Sequence, residues 1–561
     1  MEVPFFLLVV SFLFFASIFT DKLSSRFGMP ALLLFLIVGM AFGEEGLGIK
    51  FDNIKVAEAI GTVSLCIILF AGGLGTRFTD IRPIMAEGVT LATVGVLLTW
   101  AISGVVIYFI LRWTHASEEI SIITALLMAA TMSSTDAGSV FSVLRTKGVE
   151  LKHNLRPILE LESGSNDPMA YIITATLIGV LTGDSSPVWW HIVLTIIWQM
   201  FAGLAVGFGF GKFIVWMMKK VKMSNESLYP LLILTSCIFI FSVTWFIGGN
   251  NYLAVYIGGL VIGNSKFLHK RISLNFFDGL SWLFQLTMFL VLGLLVTPSK
   301  LIGVIVPGLI VSVVMILVSR PISVFISLIP FKYLDVRDKT FLSWVGLKGA
   351  VPIIFAIQCM AAEVPHSEML FNIAFFCTIV SLVLQGTSLS KIAKRLHLDL
   401  PEKQKIDPTH FDIDLPEEIV QQTFELEVTG EMAPNGIEMK HLPLPKGSLV
   451  MLLRRGDEYI IPKGPTMLYQ GDYLLVVKPS EMSIVSVEEQ KGWQLEFIQD
   501  TEGFVKNLIK KLKNKKIQNA NKDNSLSNRR NRNNGVGRAE RTAHEQTEVP
   551  YSPAGQTEQE E

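Results

Sequence analysis

Charge is scarce in this chain. Lys, Arg, Asp and Glu make up 17% of its 561 residues, where a soluble protein carries about a quarter. The charge is also unevenly spread. Residues 1–390 hold long apolar runs and residues 391–561 are polar, so two regions of different class are expected. Cysteine is scarce too: Cys66, Cys237, Cys359 and Cys377 all lie inside apolar runs without metal-ligand spacing, which leaves them as small buried hydrophobes. No basic residue precedes the first run, Val3 to Thr20, and no small-residue cleavage site follows it. That argues against a signal peptide and predicts a membrane span. The net charge of −1 points to no class of partner, and no nucleic acid is expected.

What is present is a series of apolar segments. A helix needs about 20 apolar residues to cross the hydrocarbon. By that rule thirteen spans fall near 3–20, 30–48, 56–75, 85–113, 119–144, 157–182, 188–217, 227–246, 251–264, 278–297, 301–329, 338–361 and 368–389, the ninth being short. The loops alternate in charge. One set holds 17 basic residues, among them Arg145, Lys147, Lys152 and Arg156, and the other holds only Lys50, Lys55, Arg112 and Lys300. Basic loops face the cytoplasm, which places the N-terminus outside and the C-terminus inside, in a cell inner membrane. Spans one to six and eight to thirteen then start on opposite sides, as an inverted repeat requires. Such repeats put ion sites at mid-membrane on discontinuous helices.

A charge at a span centre costs roughly 2.5–3.5 kcal/mol to insert, so such residues mark functional candidates. The fifth span reads Thr131-Met132-Ser133-Ser134-Thr135-Asp136-Ala137-Gly138-Ser139, and the twelfth Gly346-Leu347-Lys348-Gly349-Ala350-Val351-Pro352. Glycines and a proline at that depth predict two broken helices. Half-helix ends carry partial charge, so Asp136 suits a positive N-terminal end and Lys348 a negative C-terminal one. The alternative is that the glycines only permit close helix packing. The sixth span reads Glu160-Leu161-Glu162-Ser163-Gly164-Ser165-Asn166-Asp167-Pro168. Glu162, Ser163, Asn166 and Asp167 occupy one arc of about 140° on a helix. These are hard oxygen donors suited to a monovalent cation, and no His or Cys joins them to suggest a transition metal. The alternative is a solvated face at a misplaced loop. In the eleventh span Arg320 precedes Pro321. A lone arginine there needs an interior acid, with Glu162 or Glu160 available; the alternative is a snorkelling end.

The stretch Glu162-Ser163-Gly164-Ser165-Asn166-Asp167-Pro168 resembles the asparagine–aspartate motif of the monovalent cation/proton antiporter-1 family, which includes the NhaP-type bacterial antiporters and the animal sodium/proton exchangers. Thr135-Asp136 is similar to that family's unwound fifth helix, Gly346-Leu347-Lys348-Gly349-Ala350 to its twelfth-helix motif, and Arg320 sits where the family carries a pairing arginine. The resemblance covers about residues 1–390. It implies that Asp167 binds the cation and the proton alternately, and that Ser163 and Thr135 complete the ion shell, Thr135 through its carbonyl. It also implies that Asn166 and Asp136 hold the crossing helices, that Glu162 pairs with Arg320 as a structural bridge, and that the protein is a homodimer. Two departures stand out. Many members have arginine where this chain has Lys348, which resembles the potassium/proton subgroup, and Phe70-Ala71-Gly72-Gly73-Leu74 lacks an acid that some members carry in the third span. The expected mechanism is competition of cation and proton for one carboxylate. Only the neutralised site crosses the barrier, so exchange is one for one and electroneutral.

Residues 391–412 read as a charged linker. In 413–480, alternation in Phe424-Glu425-Leu426-Glu427-Val428 and the turn-flanked runs at 447–457 and 471–477 predict short strands. The segment resembles the C-terminal ligand-binding module of potassium-transport regulators (TrkA-C type), which implies a regulatory role and a small-molecule ligand, although no phosphate motif supports one. Residues 481–505 read as a short extension. Residues 506–541 hold twelve Lys and Arg, and residues 542–561 five Glu with neither. Such composition predicts a disordered tail, its basic half able to touch anionic lipid.

The expected architecture is therefore a polytopic all-α membrane protein with about thirteen transmembrane helices as inverted repeats and two broken crossing helices. A small α/β cytoplasmic module and a disordered tail follow. The expected function is exchange of a monovalent cation, K+ favoured and Na+ possible, for H+, in pH and cation homeostasis. A ligand-gated cation channel is the alternative, disfavoured because no carbonyl filter loop or charged ring is found. An intramembrane enzyme would need a nucleophile–base pair or metal ligands, and no His lies near the carboxylates. No cofactor is expected.

Overall fold

The computed structural model describes residues 4, 8, 10–19, 30–114, 120–183, 189–221, 223, 225–401 and 423–477, apart from short gaps in the last segment. The expected short extension, the tail and the second half of the linker lie outside the described residues. The chain divides into two compact units, residues 1–402 and 403–561.

The first unit is helical. Its helices are α1 (Val10–Phe19), α2 (Ala31–Phe42), α3 (Ile54–Gly75), α4 (Phe78–Trp113), α5 (Ile122–Thr131), α6 (Ala137–Thr146), α7 (Leu155–Thr182), α8 (Trp189–Lys220), α9 (Leu228–Phe246), α10 (Asn251–Gly263), α11 (Lys270–Leu295), α12 (Ile305–Ser327), α13 (Val336–Trp344), α14 (Val351–Ala361) and α15 (Ser367–Arg395). Among the described residues, seven of them (α3, α4, α8, α9, α11, α12 and α15) are long and apolar enough to cross a membrane. α7 has 28 residues but carries the charged cluster. Over the described residues, each span expected from sequence overlaps one of these helices, or one of the pairs α5/α6 and α13/α14. The short ninth one starts against the interior: Asn250 caps α10 by accepting from Leu253 N at 2.9 Å, and its amide donates to Pro168 O on α7 at 2.8 Å.

Lipid supplies no hydrophobic drive between helices, so small residues that allow close backbone approach favour the interior. Ala125, Ala129 and Ala130 of α5 and Ala254 of α10 are accordingly fully buried. The outward surface of α8 shows Trp198, Phe201, Phe208 and Trp216 instead. In α12 the ring of Pro321 removes a backbone donor, and the preceding turn, Met315–Ser319, widens to a π-turn that ends at Arg320.

The first part of the expected linker belongs to this unit. Residues 391–395 finish α15, and strand β2 (Asp399–Pro401) pairs antiparallel with β1 (Val149–Leu151), just ahead of α7. In the second unit, β3 (Thr423–Glu427), β5 (Leu449–Arg455), β6 (Glu458–Ile460) and β8 (Tyr473–Val477) form an antiparallel sheet in the order β3-β8-β5-β6, while β4 (Ile437–Glu438) pairs with β7 (Met467–Leu468). Leu426, Leu453, Leu474 and Val476 fill its core. The expected α/β module is, over the described residues, antiparallel β with one 3-10 turn at Met439–His441 and no α-helix. The buried carboxylate of Asp472 is taken bidentately by Arg455, at 2.9 and 2.7 Å.

Candidate functional site

The two breaks form where the sequence places them. α5 stops at Thr131 and α6 starts at Ala137; α13 stops at Trp344 and α14 starts at Val351. Ser133 and Thr131 help to end α5 by turning their hydroxyls back onto the carbonyls of Ala130 and Met128, both at 2.8 Å. Asp136 then caps α6: Ser139 N donates to Oδ1 at 3.1 Å, and the Ser139 hydroxyl donates to Oδ2. This is the positive N-terminal end expected for Asp136.

The breaks meet each other. Asp136 N donates to Leu347 O at 2.8 Å. Gly349 lies so close to Asp136 that an added Cβ would stand 2.4 Å from Oδ2. The Lys348 ammonium donates to Ser134 O at 2.9 Å. Lys348 thus bonds a carbonyl of the unwound stretch of the other break, beyond the end of α5, and not the C-terminal end of its own half-helix.

α7 runs unbroken past this junction and lays its donor arc against the first break. The Ser163 hydroxyl donates to Thr135 O at 2.8 Å and accepts from Ala137 N at 3.1 Å. The Asn166 amide donates to Thr135 Oγ1 at 2.5 Å. Asp167 is 6% exposed, and its Oδ1 accepts no hydrogen bond. Ser134, Asp136 and Lys348 are the polar neighbours that act on it. Eight residues singled out from sequence therefore converge: Thr135, Asp136, Glu162, Ser163, Asn166, Asp167, Arg320 and Lys348.

The choice between Glu162 and Glu160 as partner of Arg320 is settled by geometry. Arg320 Nη2 stands 2.5 Å from Glu162 Oε1, with the side chains 5% and 1% exposed. The contact is an ion pair whose angles do not make a well-formed hydrogen bond. Glu160 instead accepts from Arg156 at 2.9 Å, one turn nearer the basic loop.

Sequence reasoning missed the support of the second break. Ser381 Oγ accepts from Lys348 N at 2.8 Å, and Gln385 Nε2 donates to Trp344 O at 2.7 Å, satisfying an otherwise orphaned carbonyl at the end of α13. Polar residues four apart in an apolar last span were a usable signal. Gln285 on α11 was missed as well; its amide lies 3.5 Å from where a Cβ on Gly138 would stand.

Among the described residues no cluster of His, Cys, Asp and Glu could hold a metal ion. The sequence profile of the sodium/hydrogen exchanger transmembrane region matches residues 10–395. The chain belongs to the sodium/hydrogen exchanger family. The K(+)/H(+) antiporter NhaP of Alkalimonas amylolytica is 42% identical over 406 residues, which are 72% of this chain and 69% of that one. The K(+)/H(+) antiporter NhaP2 of Shewanella baltica is 37% identical over 476 residues, 84% of this chain and 80% of that one. The solved structure of the sodium proton antiporter of Methanocaldococcus jannaschii at pH 8 has the same fold, with a TM-score of 0.61 at 22% identity over 70% of this chain and 99% of that one. As a sodium/hydrogen exchanger family member, the chain is a multi-pass membrane protein, and its converging residues lie inside the matched region.

Proposed function

We propose that this chain exchanges one monovalent cation, potassium in preference to sodium, for one proton across the inner membrane, and so sets cytoplasmic pH and cation content. One observation carries the reading: a buried carboxylate, Asp167, keeps an oxygen free of hydrogen bonds where two broken helices and an oxygen-rich arc meet. Such an oxygen can take a proton or a dehydrated cation, one at a time. Thr135 and Ser163 complete the cation's shell, Asn166 and Asp136 fix the junction, Lys348 balances it, and the Glu162–Arg320 pair braces α7. With the site neutralised by either ligand, the carrier passes the low-dielectric barrier, and the exchange is electroneutral. The potassium preference draws on the relatives, whose names specify K+.

In this reading thirteen crossings form two inverted repeats, with the N-terminus outside and the C-terminus inside, and the protein works as a homodimer. Residues 413–480 act as a TrkA-C-like regulator for a small-molecule ligand, and the basic half of the tail touches anionic lipid. Proton flux in proteoliposomes, with K+, Na+, Rb+ or Li+ added in turn, tests the function. Asp167→Asn should abolish cation-driven flux and K+ should give the fastest exchange; flux retained by that variant would sink the proposal. Rates that follow an imposed membrane potential would refute electroneutrality.

A further inference from the structure

Two buried tyrosines of α10 have no place in the site described above, and both rest on α7. Tyr256 lays its ring on Gly164: a Cβ added there would stand 2.6 Å from Cζ and 2.9 Å from the hydroxyl oxygen. One turn earlier on α10, Tyr252 meets Tyr171 edge-on, with ring centroids 4.7 Å apart. Phe241 of α9 and Phe355 of α14 back that pair, at 5.5 Å from Tyr252 and 6.0 Å from Tyr171.

These two contacts bracket Asp167. Gly164 and Tyr171 are seven residues apart, so they share one face of α7 at a separation of about 10 Å along its axis. Asp167 stands between them in height, about 40–60° round the helix, and is buried. α7 starts after the basic segment 145–156 and runs away from it, while α10 runs toward Lys266, Lys270 and Arg271. The Tyr256–Gly164 contact therefore lies on the basic-loop side of Asp167, and the Tyr252–Tyr171 contact on the other side.

α10 is held differently by its other neighbours. Gly73 and Gly259 bring α3 and α10 together backbone to backbone, and Gly207 does the same for α8 and α10; a Cβ at any of these would strike a carbonyl of the facing helix. Against α7 it sets side chains: the two rings, and the Asn250 amide that donates to Pro168 O at 2.8 Å. Backbones in such close contact leave no slack, whereas a ring lifts by a change of rotamer. We propose that Tyr256 and Tyr252 are the two seals of the Asp167 site, an inference that rests on the antiport reading above. Tyr256 closes the basic-loop approach against Gly164, and Tyr252 closes the opposite approach against Tyr171. Lifting one ring opens the carboxylate to one face. Coupled exchange requires the rings to lift in turn, because with both lifted cation and proton would each run down its own gradient.

The test is access to position 167 in the full-length chain. Asp167→Cys puts a thiol between the two contacts, in a chain whose four native cysteines are buried. Its labelling by a charged, membrane-impermeant thiosulfonate is timed in right-side-out and everted vesicles, the everted ones presenting the basic-loop face. Adding Tyr256→Ala should speed labelling from the basic-loop face about tenfold, and adding Tyr252→Ala should do the same from the opposite face, the factor that one aromatic contact contributes to a closed state. Tyr256→Phe and Tyr252→Phe keep the rings and should label as the parent does. Gly164→Ala displaces the Tyr256 ring from its seat and should reproduce the sidedness of Tyr256→Ala, which keeps the test decisive if that variant does not fold. Acceleration from the wrong face, from both faces alike or from neither would overturn the seals. Labelling needs no transport, so the two readings fail separately. A wild-type chain without cation-coupled flux refutes the antiport reading, and flux without the stated sidedness refutes only the seals.

Discussion

The two broken helices are built to opposite chemistries. The first break is held by α7, through Ser163 and Asn166 on Thr135. The second is held by α15, through Ser381 on Lys348 N and Gln385 on Trp344 O. α7 brings ionisable groups with it, Glu162 and Asp167; the three α15 side chains that bond the second break, Thr378, Ser381 and Gln385, are all neutral. The breaks also serve each other, since the Lys348 ammonium bonds Ser134 O and Asp136 N bonds Leu347 O. One half of the membrane unit thus contributes the buried carboxylates of α7, and the other contributes Lys348 and a hydrogen-bonded seat on α15. A buried carboxylate that changes its ligand needs such a seat, because any drift of the surrounding dipoles would change its relative affinity for cation and proton.

The comparison can be broken most severely on the α7 side. Glu162→Ala leaves the Arg320 guanidinium buried and unpaired, which should cost about 3–5 kcal/mol. Thermal unfolding in detergent should show a large fall in midpoint, and the Glu162→Gln/Arg320→Gln double variant should recover much of it. If the single and double variants unfold alike, the pair is not the brace described here.

A smaller effect separates the two glycines that flank Asp136. Gly349→Ala would place a Cβ 2.4 Å from Asp136 Oδ2 and 2.7 Å from its Cβ, and must push the breaks apart. Overpacking of this kind costs about 1–3 kcal/mol, and transport should fall with it. Gly138→Ala meets Asp136 Oδ1 at 3.2 Å and the Gln285 amide at 3.5 Å, so small adjustments suffice. Its midpoint should stay near wild type. The reverse order would show that the breaks do not meet as described. The smallest effect belongs to Ser381→Ala, which removes the acceptor from Lys348 N and should cost about 1 kcal/mol, with slower exchange at unchanged cation selectivity. A change in selectivity instead would mean that α15 touches the ion.

The breaks fall where glycine clusters with charge and with small hydroxyls or proline at mid-span, although the similar cluster on α7 leaves that helix continuous. The oxygen-donor arc on α7 was legible because four oxygen-bearing side chains fall on one face at helical spacing. Gln385 was harder to see, since one amide in an apolar span announces neither its orientation nor its acceptor.

The sequence by itself determined where helices run, where they break, and which carboxylates are stranded among apolar residues, because hydrocarbon penalises each exception residue by residue. Only the tertiary structure decided that Lys348 caps the opposite break, that Glu162 and not Glu160 meets Arg320, and that Asp167 keeps an oxygen free. Those outcomes depend on how helices distant in sequence cross, and on which of several chemically equal partners the crossing brings within a hydrogen bond's length.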